Sequence, residues 1–131
     1  MAIDLVKTYM ASSIISIGPE LSVVEAAKLM NEKKVGSIFI KEGDQYVGIF
    51  TETDLLRKVI ALEFPPADMS VASVMNKTIE SIDSESSMIL AFIMMQKKKL
   101  GHLAVTEGKE IVGVLSIKDV ASYYVEKFTN K

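Results

Sequence analysis

The sequence predicts an α+β protein built as a duplicated β-α-β-β-α unit, its two copies packed sheet to sheet about a pseudo-two-fold axis. Three observations lead there. The chain matches itself without a gap at an offset of 65 residues. Each copy alternates short apolar runs with segments of helical periodicity. Each copy also has only about 60 residues, which bury too little apolar surface to be comfortable alone. Packing one sheet against the other solves that shortage.

The repeat pairs Met10 with Met75, Ile14 with Ile79, Ile17 with Ile82 and Glu20 with Glu85. It continues through Ala26 and Ala91, Met30 and Met95, Gly36 and Gly101, and Val47-Gly48 and Val112-Gly113, to Asp54 and Asp119. A match this regular marks a duplicated unit. Phe64-Pro65-Pro66 breaks the chain between copies, so the expected units are residues 1–64 and 65–131.

In each copy a short strand comes first, at Ile14 to Ile17 and Ile79 to Ile82. A helix then starts near Ser22, where Ser22 and Glu25 form a capping-box pattern. Val23, Ala26, Ala27 and Met30 recur at helical spacing, and Gly36 is expected to end the helix. Ile38 to Ile40 and Tyr46 to Phe50 flank Glu42-Gly43-Asp44 as a hairpin, and a second helix runs from about Thr53 to Leu62. The second copy repeats this with a helix from Ser87 to Lys98, strands Leu103 to Val105 and Ile111 to Leu115, and a helix from Lys118 to Phe128.

Composition excludes several classes. The net charge of −2 argues against a nucleic-acid binder, which carries a basic stripe. There is no cysteine, hence no disulfide framework, and a reducing cytoplasm is compatible with that. The first residues show no secretory signal. The longest apolar run, Met88 to Met95, is far shorter than the roughly 20 residues a membrane span needs. The expected location is cytoplasmic. The eight methionines fit adaptable packing and do not suggest a cofactor.

Each copy ends in Gly-h-x-(Thr/Ser)-x-x-Asp at the entrance of its last helix: Gly48-Ile49-Phe50-Thr51-Glu52-Thr53-Asp54 and Gly113-Val114-Leu115-Ser116-Ile117-Lys118-Asp119. Two readings stand side by side. Thr51 with Asp54, and Ser116 with Asp119, can simply cap a helix. The same geometry can take a ligand: a carboxylate at a helix entrance accepts from a vicinal ribose diol, and hydroxyls with free helix N–H groups suit phosphate oxygens. Gly48 and Gly113 either leave room for close approach or mark a bulge.

A tandem β-α-β-β-α unit carrying this motif twice resembles the CBS (cystathionine-β-synthase-type) domain pair over essentially the whole chain. The resemblance implies a stand-alone regulatory module that binds an adenosine-containing ligand: AMP, ADP, ATP, S-adenosylmethionine or an NAD-type compound. It implies pockets shared between repeats. One would set Thr51, Thr53 and Asp54 against Thr78, Ile79, Glu80, Gly101 and His102. The other would set Ser116, Lys118 and Asp119 against Ser13, Ile14, Ile15, Gly36 and Ser37. The second is the first choice. It has Ile15 where the first has Glu80, and an apolar side chain suits an adenine face whereas a buried carboxylate needs a partner. It also offers Lys118 to a phosphate. Glu80 can accept from an adenine amino group, pair with His102, or point to solvent. His102 is either a polar residue at a strand start or a ligand contact. As the only histidine in a chain without cysteine, it makes a transition-metal site improbable. Lys33-Lys34 and Lys97-Lys98-Lys99 complement helix dipoles or reach a phosphate tail.

Glu25 and Lys28 of the first copy become Leu90 and Ile93 in the second. That makes the Met88–Met95 helix apolar all round, with no internal core left for the extra face. Leu90 and Ile93 are therefore expected at a homodimer interface. A helix covered by the tail, Tyr123 to Phe128, is the competing arrangement. No nucleophile-base set, metal-ligand spacing or glycine-rich phosphate loop is present, so no catalysis and no required cofactor are expected. Output would pass through self-assembly or a separate protein partner. The competing function is an assembly module without a physiological ligand.

Overall fold

The computed structural model describes residues 4–129. In chain order the helices and strands are α1 (Val6–Tyr9), β1 (Ser16–Ile17), α2 (Val23–Lys33), β2 (Ser37–Glu42), β3 (Gln45–Thr51), α3 (Glu52–Asp54), β4 (Ser81–Asp83), α4 (Met88–Lys98), β5 (His102–Glu107), β6 (Glu110–Ser116) and α5 (Ile117–Thr129). Each copy folds a three-stranded mixed sheet, in the orders β1-β2-β3 and β4-β5-β6. The first pair in each sheet is parallel and the second antiparallel. The α+β class and the β-α-β-β-α order are those the repeat predicts.

Packing groups the chain differently from its division into copies. One compact unit comprises residues 15–79, and the other combines residues up to 14 with those from 80 onward. The lead segment of each copy thus belongs to the unit formed by the other copy. Val71 and Val74 sit in the core with Val23, Ala26, Met30, Ile38, Ile40, Phe50 and Val59. Val6 sits in the core with Met88, Ala91, Met95, Leu103, Val105, Leu115 and Val120. Matching backbone bonds fix both segments. Met88 N donates to Asp4 O and Val6 N to Ser86 O, at 2.9 and 2.8 Å. Val23 N donates to Met69 O and Val71 N to Leu21 O, at 2.9 and 2.7 Å.

The incoming segments also explain the two motif glycines. Both strands bulge there, with Val47 and Val112 unpaired in the register. Asn76 then exchanges backbone hydrogen bonds with Ile49, and Ala11 with Val114. A Cβ on Gly48 would lie 2.9 Å from Asn76 O, and one on Gly113 2.7 Å from Ala11 O. The close approach is to the protein's own backbone.

Several local expectations change. α2 and α4 end at Lys34 and Lys99 in the left-handed region, φ 57° and 55°, so neither Gly36 nor Gly101 is the stop. Gly36 O instead accepts from Glu52 N, and Gly101 O from Ile117 N. The helix expected over Thr53–Leu62 is α3 followed by a π-helical stretch, Leu55–Ile60. Its wider winding shows in the bonds from Ala61 N to Leu56 O and Phe64 N to Val59 O. Ser22 and Glu25 form both bonds of the expected capping box.

Gly48→Ala and Gly113→Ala should each lower stability by about 1–3 kcal/mol in urea denaturation, because the intruding methyl meets backbone. Neutral substitutions would mean that the incoming segments do not lie where described.

Candidate functional site

Thr51 and Asp54 cap α3 reciprocally. Thr51 N donates to Asp54 Oδ2 at 2.9 Å, and Asp54 N donates to Thr51 Oγ1 at 3.2 Å. Ser116 and Asp119 repeat the arrangement at α5, at 2.8 and 3.2 Å. The capping reading is therefore physically present in both copies. It uses one carboxylate oxygen of each acid.

What surrounds the two acids differs. Asp54 is buried, and its Oδ2 also accepts from the Thr51 hydroxyl at 3.0 Å and from Asn76 Nδ2 at 2.9 Å. Lys58 Nζ pairs with Oδ1 at 3.2 Å. The same ammonium donates to Asn76 Oδ1 at 2.9 Å and to Val74 O at 3.2 Å. Asp119 is only partly buried, and among the described residues no group donates to its Oδ1. At the positions matching Lys58 and Asn76 the other unit has Tyr123 and Ala11. Neither Lys58 nor Asn76 was singled out from sequence, although comparing the copies marks both positions as unequal.

Tyr123 serves a different fastening. Its hydroxyl donates to Asp4 Oδ2 at 2.6 Å, and Lys127 Nζ donates to the same oxygen at 3.0 Å. Tyr9 packs edge-on against the Tyr123 ring, with centroids 4.7 Å apart. Asp4, Tyr9, Tyr123, Glu126 and Lys127 line an open depression that contains none of the expected ligand residues.

Within its own unit, each strand start adjoins the motif of the same copy. Ser37 lies opposite Thr51 in the ladder, and His102 lies opposite Ser116. Gly36 and Gly101 accept from the first residues of α3 and α5. Ser13 and Ile14 share a unit with Ser116, Lys118 and Asp119, while Thr78 and Ile79 share one with Thr51, Thr53 and Asp54. Ile15 O accepts from Phe39 N, and its counterpart Glu80 O from Ala104 N, both at 2.9 Å. The Glu80 carboxylate, partly exposed, pairs with Lys98 Nζ at 3.1 Å, a partner not weighed from sequence. Thr53, Thr78 and Lys118 are exposed. No helix among the described residues is long and apolar enough to cross a membrane, and none of their His, Cys, Asp and Glu clusters could hold a metal ion.

α4 buries Met88, Ala91 and Met95 and leaves Leu90 and Ile93 exposed at 44% and 43%. The tail reaches Phe92 through Tyr124, centroids 5.7 Å apart, and does not cover Leu90 or Ile93. Val125 and Phe128 of the tail are exposed as well.

The comparisons with known proteins agree with this architecture. The CBS domain family model matches twice, at residues 6–61 and 71–126, and the chain belongs to that family as a tandem pair. It is 31% identical over 112 residues to a mitochondrial CBS domain-containing protein of Arabidopsis thaliana, covering 81% of this chain and 54% of that protein. The chain thus spans about half the length of that relative. It also resembles a putative signal-transduction protein with CBS domains from Burkholderia ambifaria, with TM-score 0.87 and 26% identity, over 97% of this chain and 95% of that one. A CBS domain pair solved in complex with 5′-methylthioadenosine and S-adenosyl-L-methionine has the same fold, with TM-score 0.85 and 22% identity over 96% of this chain and 99% of that one.

The Tyr123 hydrogen bond, and then Lys127, hold the Asp4 carboxyl below its usual 3.8. A depressed folded-state pKa contributes stability above the unfolded value and loses it as pH falls through the folded one. Asp4→Asn should lower the urea midpoint at neutral pH, with the gap to the parent closing below pH 3.8. A gap unchanged down to about pH 2 would show that the carboxylate is not the fastener.

Proposed function

We propose that this CBS pair is a non-catalytic regulatory module that takes an adenosine-containing ligand, AMP, ADP or ATP first among them. Occupancy would pass on through self-association or a partner protein. The observation that carries this reading is the Ser116–Asp119 pair at the start of the 13-residue helix α5. Its carboxylate keeps Oδ1 uncommitted beside a hydroxyl that accepts one bond and retains its own proton for donation. That set suits a vicinal diol, and the helix N-terminus with exposed Lys118 suits phosphate. Ser13 and Ile14, in the same unit, are the neighbours assigned to the ligand from sequence. The fold itself accommodates adenosine compounds in the solved pair named above. That complex also supports a second reading, in which the ligand is of the S-adenosylmethionine type.

A panel of AMP, ADP, ATP, S-adenosylmethionine and 5′-methylthioadenosine, read by thermal shift, separates the two. At 100 times Kd the bound ligand adds about 2.7 kcal/mol to stability, a shift of several degrees. No shift with any compound would favour an assembly module without a ligand.

For assembly we propose that Leu90 and Ile93 meet a second copy of this chain. CBS-containing proteins of similar fold form hexamers in two solved structures, at 28% and 26% identity. Leu90→Glu with Ile93→Glu should reduce the mass measured by light scattering. An unchanged mass would refute that contact.

A further inference from the structure

Building on the ligand-binding reading above, we infer that only the second copy of the motif receives the ligand, and that Asp54 of the first copy is a structural fastener closed by the protein's own side chains. Hydrogen-bonding capacity carries the argument. A carboxylate offers about four acceptor positions. In Asp54 both oxygens are engaged: Oδ2 accepts from Thr51 N, Thr51 Oγ1 and Asn76 Nδ2, and Oδ1 pairs with Lys58 Nζ. Lys58 Nζ donates to the Val74 carbonyl and to Asn76 Oδ1 and is ion-paired with Asp54. The Thr51 hydroxyl both accepts and donates within the same set. A vicinal diol needs two acceptor positions, and with Oδ2 crowded by three donors only one, on Oδ1, is left. A ribose diol could bind Asp54 only by displacing Lys58 or Asn76. Displacement leaves a buried carboxylate short of its cation, a loss that two neutral hydrogen bonds do not repay.

The fastening has a purpose visible in the fold. Val74 and Asn76 lie on the lead segment of the second copy, which closes the core of the 15–79 unit. Lys58 and Asp54 lie on the helical stretch that this segment crosses. The four polar groups therefore staple the segment down. The other unit meets the same requirement at a different place. There Asp4, on the incoming segment itself, is held by Tyr123 and Lys127. Tyr123 occupies the position of Lys58, and Ala11 that of Asn76. Moving the staple to Asp4 leaves Asp119 with one carboxylate oxygen free of any donor among the described residues. Lys58 and Asn76 thus decide, by their presence in one unit and absence from the other, which motif binds.

The test uses the full chain with AMP in calorimetric titration, alongside thermal melting of the same samples. The parent should bind one AMP per chain, and Asp119→Asn should lose binding at least tenfold with little change in Tm. Asp54→Asn should keep the stoichiometry and affinity within about twofold while its Tm falls by about 5–10 °C, since it breaks a buried pair. Two equal sites per chain in the parent would overturn the inference. So would loss of binding in Asp54→Asn without a fall in Tm. If AMP does not bind the parent at all, the proposed AMP ligand fails, and melting alone judges the fastener: Asp54→Asn and Asp119→Asn with equal Tm would reject it.

Discussion

The structure depends on one constraint: neither copy of the repeat closes its own core. Each three-stranded sheet and its helices leave an opening, and the segment that fills it precedes the other copy in the chain. Val6 and Val71 are fully buried in those positions. The approach is possible only because the residue after each strand's bulge has no side chain. Gly48 and Gly113 let Asn76 and Ala11 come within backbone hydrogen-bonding distance of the strand. The motif glycines, which suggested space for a ligand, are space for the chain itself.

That constraint shapes the site. A segment laid across the start of the last helix needs a polar anchor, and the nearest strong one is the capping carboxylate. In the 15–79 unit the anchor is Asp54, supplemented by Lys58 and Asn76, and the carboxylate is spent on structure. In the other unit the anchor is Asp4, and Asp119 caps its helix with one oxygen only. Duplication supplied two equivalent motifs. Divergence at two flanking positions gave them different work.

Much of this was legible in the residues. The ungapped repeat specified the α+β class, the element order and the equivalence of Asp54 with Asp119. The capping signals at Ser22, Thr51 and Ser116 all formed, because a side-chain oxygen three residues from an N–H donor needs only local geometry. The exchange of lead segments was not legible. Its apolar signal is a pair of short stretches around Val6 and Val71, too brief to show a period, and the prolines at 65 and 66 drew the boundary elsewhere. The π winding of Leu55–Ile60 leaves no mark in apolar spacing that distinguishes it from an α-helix. The pairing of Glu80 with Lys98 spans 18 residues of chain and two elements, and only the packed unit brings the charges together. The inequality of the half-sites was visible in part. Ile15 against Glu80 drew attention, whereas the consequential differences, Lys58 against Tyr123 and Asn76 against Ala11, have meaning only once the returning segment is in place.

Amide hydrogen exchange with and without AMP addresses the central claim most directly, because it reads both copies of the motif in one sample. The account predicts added protection at the β6–α5 junction, around Ser116 and Asp119, with the amides of Thr51 to Lys58 already protected and unchanged. Protection gained at Thr51 to Lys58 instead, or equally at both junctions, would contradict it.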